Sequence, residues 1–311
     1  MKILLYYKFV EVRDVVRERD EHHALCASLG LKGRIIIAPE GFNGTVCGTD
    51  EACEAYMSAI AAHPLFAGTE FKIEYADRPS FHKLHVRVKP ELVNFGVPNA
   101  PKPWERTGRY IEPEEMRRLL ENTPENVVFL DGRSLFEYEV GRFRGALPLD
   151  IQYFRDTPKL AAELEKHKDK TVVTYCTGGI RCEKLTGWLM DLGFQDVAQL
   201  RGGIVRYGQE TGGEFFEGTC FVFDERLVSP VNRVHPSVVG RCKICKASTE
   251  KYVNCANADC NDLFLICTDC IDKYEGACSE ACHQSPKRRA WNGTGMYLRG
   301  VDSKRYVSSE G

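Results

Sequence analysis

Leu84, Val86 and Val88 alternate with Lys83, His85, Arg87 and Lys89, a clean two-residue period. Such a period predicts a strand with one buried and one basic face. Upstream, residues 2–9 are apolar and aromatic and read as a strand, and residues 22–29 have helical spacing that stops at Gly30. Arg34-Ile35-Ile36-Ile37-Ala38 predicts a strand, Gly41-Phe42-Asn43-Gly44 a turn, and residues 44–48 a returning strand. Thr49 or Asp50 can cap a helix to about residue 62, and residues 70–76 and 81–89 supply further strand. This order predicts a ferredoxin-like α+β sandwich over residues 1–95.

Pro98, Pro101 and Pro103 make residues 96–108 a stiff linker. The pattern then changes. Pro113 with Glu114 and Glu115 opens a helix, residues 127–130 form a short apolar strand, and residues 158–167 are helix-like. Residues 171–174 and 197–200 add strands. Strands alternating with helices predict a doubly wound α/β domain over residues 109–213, with Cys176 in the crevice at a strand's carboxyl end.

Composition changes the picture mainly through sulfur. The chain has 311 residues, a formal net charge of −2 and 14 cysteines. Its beginning is too short and too soon charged for a signal peptide, and no apolar run reaches membrane-spanning length. A cytoplasmic location is expected, where cysteines serve metals or catalysis rather than disulfides. Cys26, Cys47, Cys53 and Cys220 are scattered and read as small buried residues. Eight others form pairs within residues 214–311: Cys242 with Cys245, Cys255 with Cys260, Cys267 with Cys270, Cys278 with Cys282. Two-residue spacers suit zinc thiolate knuckles, so two structural zinc ions are expected, the first pair joining the third and the second the fourth. His283 is an alternative ligand.

The other two cysteines flank a glycine-rich loop, Cys176-Thr177-Gly178-Gly179-Ile180-Arg181-Cys182. A strand, a glycine loop and a helix start create a nest of N–H donors in which a thiol becomes acidic. Thr177, Gly178, Gly179 and Ile180 would form that nest around the nucleophile Cys176. Arg181 would either brace the loop against a buried carboxylate or face an anionic substrate. Cys182 is a small first-turn residue or a resolving thiol.

Two basic regions are candidates for nucleic acid. Lys83, His85, Arg87 and Lys89 form a solvated strand face or a platform for phosphates. Lys287, Arg288 and Arg289, followed by Trp291, Tyr297, Arg299, Lys304 and Arg305, form a solvated tail or a single-strand binder.

Two blocks carry a resemblance. Leu130-Asp131-Gly132-Arg133 through Gly145-Ala146, and Tyr175 to Arg181 with Leu200-Arg201-Gly202-Gly203, resemble the signatures of rhodanese domains. Arg142 stands where many rhodaneses carry histidine. The span from Cys176 to Arg181 is the six-residue length associated with sulfur chemistry, one shorter than in related phosphatases. With residues 38–45, Ala-Pro-Glu-Gly-Phe-Asn-Gly-Thr, and the cysteine-rich tail, the whole chain resembles the rhodanese-domain tRNA uridine 5-hydroxylases. That resemblance implies an oxidoreductase that forms 5-hydroxyuridine at the wobble position, with dioxygen as co-substrate and the tRNA anticodon region as partner. No DNA partner is expected, and no flavin, nicotinamide or facial-triad motif is seen, so a reductant or sulfur donor is left unassigned. Cys176 would attack the base as a thiolate or a persulfide. The rival readings are a persulfide-carrying sulfurtransferase and a non-catalytic RNA-binding scaffold.

Overall fold

The computed structural model describes residues 1–297, and the predicted basic positions Arg299, Lys304 and Arg305 lie outside the described residues. The amino-terminal unit runs β1 (Lys2–Phe9), α1 (Val15–Ser28), β2 (Lys32–Ala38), β3 (Gly41–Gly48), α2 (Asp50–Ala62), β4 (Phe71–Tyr75) and β5 (Leu84–Val88). Its sheet has the order β4-β1-β3-β2-β5, with β5 parallel to β2 and the other pairs antiparallel. This is the ferredoxin-like α+β sandwich with one added edge strand. Thr49, rather than Asp50, caps α2 by accepting the Ala52 N–H at 3.2 Å. Both helices cover one sheet face, where Leu4, Tyr6, Ile35, Phe42 and Val46 pack with Tyr56 and Phe66. The opposite face is left for the second unit.

The turn expected at residues 41–44 is displaced. β3 already begins at Gly41, and Pro39 and Glu40 make the turn. The glycines serve close approach instead: a β-carbon on Gly41, at φ +134°, would collide with the Lys8 carbonyl, and one on Gly44 with the Tyr6 ring.

The second unit comprises β6 (Arg109–Ile111), α3 (Pro113–Asn122), β7 (Val127–Asp131), α4 (Leu135–Val140), β8 (Gly141–Phe143), β9 (Leu147–Pro148), α5 (Ala161–Leu164), β10 (Thr171–Tyr175), α6 (Ile180–Asp191), β11 (Asp196–Leu200) and α7 (Gly203–Thr211). Its parallel sheet has the order β6-β11-β10-β7-β9. Both faces are buried. Val173 and Tyr175 enter the core beneath α3 and α7, and Val172 enters the one beneath α6. This is the doubly wound α/β domain. The proline-rich segment before it is docked rather than free: Phe95 stacks on Phe154 at 4.8 Å, and the Gly108 N–H donates to Thr186 at 2.8 Å.

Beyond α7, β12 (Phe216–Phe221) pairs with β8 and with β13 (Val228–Pro230). The cysteine-rich segment holds the hairpin β14 (Tyr252–Asn254) and β15 (Leu263–Leu265), followed by α8 (Thr268–Tyr274) and α9 (Glu280–His283). Its own apolar core is small, chiefly Val253, Phe264, Ile266 and Ile271 among the cysteines. Tyr252 anchors it to the second unit by donating to the Phe136 carbonyl. Among the described residues no helix is long and apolar enough to cross a membrane.

Candidate active site and cysteine centres

β10 delivers Cys176 to the carboxyl edge of the parallel sheet, and the loop turns back over it. The carbonyls of Cys176 and Thr177 accept N–H bonds from Ile204 and Val205 at the start of α7, at 3.0 and 3.1 Å. The Gly179 N–H points at the Cys176 sulfur at 3.2 Å, in a left-handed conformation (φ +99°) that favours glycine. Cys176 is fully buried. Burial by itself pushes its thiol up, but the Cys182 thiol, the Arg181 charge and the N–H groups of Arg181 and Cys182 outweigh it. The net effect is a thiol lowered to about 6. Cys182 shifts the opposite way, raised by burial and by its bond to Cys176.

Arg181 pairs with a buried carboxylate. Its two terminal nitrogens donate to Glu137 at 2.6 and 2.8 Å, and one also reaches the Thr177 hydroxyl at 3.3 Å. The guanidinium thus fixes the loop and lends its charge to the sulfur. Glu137 lies on α4, within the first rhodanese-like block, and is the buried carboxylate that braces the loop.

The free face of the amino-terminal sheet closes the site. A β-carbon on Gly178 would lie 3.1 Å from Leu5, and one on Gly179 3.0 Å from the Tyr7 hydroxyl. Tyr7 donates to Glu183 on α6 at 2.8 Å, and Lys184 bridges Glu40 and Glu91 at 2.7 and 2.8 Å. Lys72, on β4, is buried with its ammonium 4.6 Å from the Tyr7 ring centre, and burial lowers it to about 8. Between sheet and loop lies a mostly apolar cavity of about 450 Å³, with Cys176, Thr177, Gly178, Ile180 and Arg181 on one wall. The other walls include Leu5, Ile36, Asn43, Thr45, Phe81 and Val222. Tyr153 and Phe223, 48% and 56% exposed, are also among its lining residues. Arg226 is tied to Asp224 and Glu74, whereas Arg34 and Arg155 form no ion pair among the described residues.

The β5 row extends this face outward. Arg34 is in register with His85, and Ile36 with Arg87. Lys83, Arg87 and Lys89 are exposed and lack ion pairs among the described residues. His85 is lowered by burial and then by the charges of Arg87, Arg34 and Lys83, which marks a positive field.

The carboxy-terminal basic residues are placed differently. Arg289 is 8% exposed and donates to the Ala256 and Cys255 carbonyls and to Asn261. Arg288 pairs with Glu275, and Lys287 reaches Asp259 at 3.1 Å. Arg289 therefore braces the cysteine-rich segment from inside.

The eight paired cysteines converge in two groups of four. Cys242, Cys245, Cys267 and Cys270 form one, and Cys255, Cys260, Cys278 and Cys282 the other, with sulfurs in each within 4.8 Å of one another. Contacts of 3.4 Å (Cys245–Cys267) and 3.7 Å (Cys260–Cys278 and Cys278–Cys282) suit a tetrahedral ion, whose ~2.3 Å zinc–sulfur bonds set sulfurs roughly 3.8 Å apart. Each group could hold a metal ion with four sulfur donors. His283 stands outside both groups and approaches Glu275 at 3.6 Å.

Residues 1–92 match the family model described as UPF0176 acylphosphatase like domain, residues 112–210 the rhodanese-like domain, and residues 217–283 the rhodanase C-terminal model. A protein of Cytophaga hutchinsonii named tRNA uridine(34) hydroxylase is 47% identical, covering 98% of both chains. Proteins with the same name from Shouchella clausii and Enterococcus faecalis are each 45% identical, over 92% and 93% of this chain and 89% and 92% of their own. The chain belongs to the tRNA uridine(34) hydroxylase family.

Proposed function

We propose that this chain hydroxylates carbon 5 of the wobble uridine of tRNA in the cytoplasm, with Cys176 as nucleophile and dioxygen as oxidant. The observation that supports it is a thiol held toward its anion on the wall of a mostly apolar cavity. The thiolate adds to carbon 6 of the base, which breaks the 5,6 double bond and leaves an enolate with its electron pair on carbon 5. The enolate takes up dioxygen and a proton to become a carbon 5 hydroperoxide. A two-electron thiol reductant cleaves the O–O bond: two thiols become a disulfide, one oxygen stays as the hydroxyl, and the other leaves as water. Loss of the carbon 5 proton then expels the Cys176 thiolate and restores the ring. Uridine, dioxygen and two thiols thus give 5-hydroxyuridine, a disulfide and water. Apolar walls suit this sequence because they keep bulk water from protonating the enolate.

The target sits in a loop that is already single-stranded, so turning the base into the cavity costs little. Tyr153 and Phe223 offer stacking surfaces, Arg34 and Arg155 offer charge for phosphates, and Lys83, His85, Arg87 and Lys89 continue that track. The two cysteine groups would each hold a zinc ion in a structural role, since four thiolates leave no open position.

The test uses an anticodon stem-loop with uridine at the wobble position, air and a dithiol, followed by mass analysis of nucleosides. One added oxygen is expected with the native protein, and a loss on the order of a thousandfold or more with Cys176→Ser. Undiminished product from Cys176→Ser would falsify the scheme. Rapid turnover of thiosulfate and cyanide without RNA, and no oxygen added, would point to the sulfurtransferase instead.

A further inference from the structure

Residues 38–45 form a conspicuous motif, and most of it has a structural task. Glu40 ties to Lys184, Gly41 admits the Lys8 backbone, Phe42 fills the core and Gly44 admits Tyr6. Asn43 and Thr45 do not fit that account. They alternate with the core-facing Phe42 and Val46, so their side chains stand on the opposite face of β3. There both are half-buried and line the Cys176 cavity. Their in-register neighbours on that face are Tyr7 and Ile36 for Asn43, and Leu5 and Arg34 for Thr45. Neither side chain hydrogen-bonds any described residue. An amide and a hydroxyl without partners in a largely apolar cavity match the few placed polar groups that orient a ligand in such sites.

We infer that Asn43 and Thr45 read the hydrogen-bonding edge of the target base. In a pyrimidine ring, N3 lies opposite carbon 6. A uracil with carbon 6 toward the Cys176 wall therefore turns N3–H and its flanking carbonyls toward another wall, and the β3 face shares the cavity with the loop. The Asn43 carboxamide accepts from N3–H and donates to one carbonyl, and the Thr45 hydroxyl donates to the other. The amino-terminal domain is then part of the active site and sets which base is accepted. This inference rests on the hydroxylase reading.

The decisive experiment compares kcat/KM on two stem-loops, one with uridine and one with 3-methyluridine at the target position, for the native protein, Asn43→Ala and Thr45→Val. The native protein should prefer uridine by about 10- to 100-fold. Asn43→Ala should lose about that factor on uridine and treat the two bases alike, and Thr45→Val should lose less. Alkylation of Cys176 at the native rate, read by peptide mapping, verifies that the loop is intact in each variant. Native kcat/KM on uridine in Asn43→Ala, or undiminished discrimination in that variant, overturns the inference. If the native protein hydroxylates neither stem-loop, the functional reading itself fails; if it hydroxylates uridine while Asn43→Ala matches it, only the edge-reading role fails.

Discussion

The part of the chain around Cys176 and the cysteine-rich end both gather sulfur and positive charge, and they hold them in opposite ways. At Cys176 the sulfur meets N–H donors, a guanidinium and the Cys182 thiol, and one side opens on a cavity. In the tetrads each sulfur faces three others. The cations follow the same division: Lys83, Arg87 and Lys89 stand without carboxylates, whereas Arg288 and Arg289 are tied to their own segment. A residue's chemistry is thus set by what surrounds it. Four thiols gathered together could hold an ion, whereas Cys176 meets one thiol, N–H donors and a guanidinium beside a cavity.

Metal removal should sharpen the contrast most. Zinc binding in small thiolate domains is worth roughly 10 kcal/mol or more, far above what the few apolar residues here could replace. Chelation should unfold the segment, with loss of the Trp291 near-ultraviolet signal, while Cys176 keeps its alkylation rate. A segment that stays folded without metal would break the comparison.

Glu137→Gln comes next. It leaves the Arg181 guanidinium buried without its counter-charge and should cost about 3–5 kcal/mol in urea unfolding. A change near zero would mean that the loop does not depend on that pair.

The pH profile tests the activated thiol more gently. Because the thiolate is the reactive form and the thiol is lowered to about 6, kcat/KM should rise as pH climbs through about 6 and level off above it. Cys182→Ala removes a donor to the sulfur, so the rise should move to higher pH; an unmoved profile would remove Cys182 from the account.

The smallest effect is expected on the cations. Lys83→Gln with Arg87→Gln should weaken stem-loop binding about 3- to 10-fold and flatten its salt dependence, and Arg288→Gln should do neither. Equal losses from both ends would erase the distinction.

Much of this was legible in local pattern. The alternation at residues 83–89 gave a strand, the cysteine spacers gave two ligand sets, and the glycine loop between strand and helix marked an acidic thiol. What escaped was set by tertiary partners. Arg289 reads as a free cation until Cys255, Ala256 and Asn261 fold around it. Gly41 and Gly44 read as a turn because glycine permits turning and close approach alike, and only Lys8 and Tyr6 decide between them. Tyr7 reaches Glu183 and Asn43 lines the loop's cavity through the docking of two domains, which no one-dimensional period encodes.

The amino-terminal sheet also has a protective consequence. A thiolate-forming cysteine is the side chain most readily converted by peroxide to sulfenic and then sulfinic acid, at a rate that follows its exposure. Leu5 and Tyr7 close over Gly178 and Gly179, and Cys176 has no solvent-exposed surface. The same docking that shapes the cavity therefore shields the sulfur from oxidants in solution. On the proposed reaction, a sulfur that works beside dioxygen is kept behind a second domain.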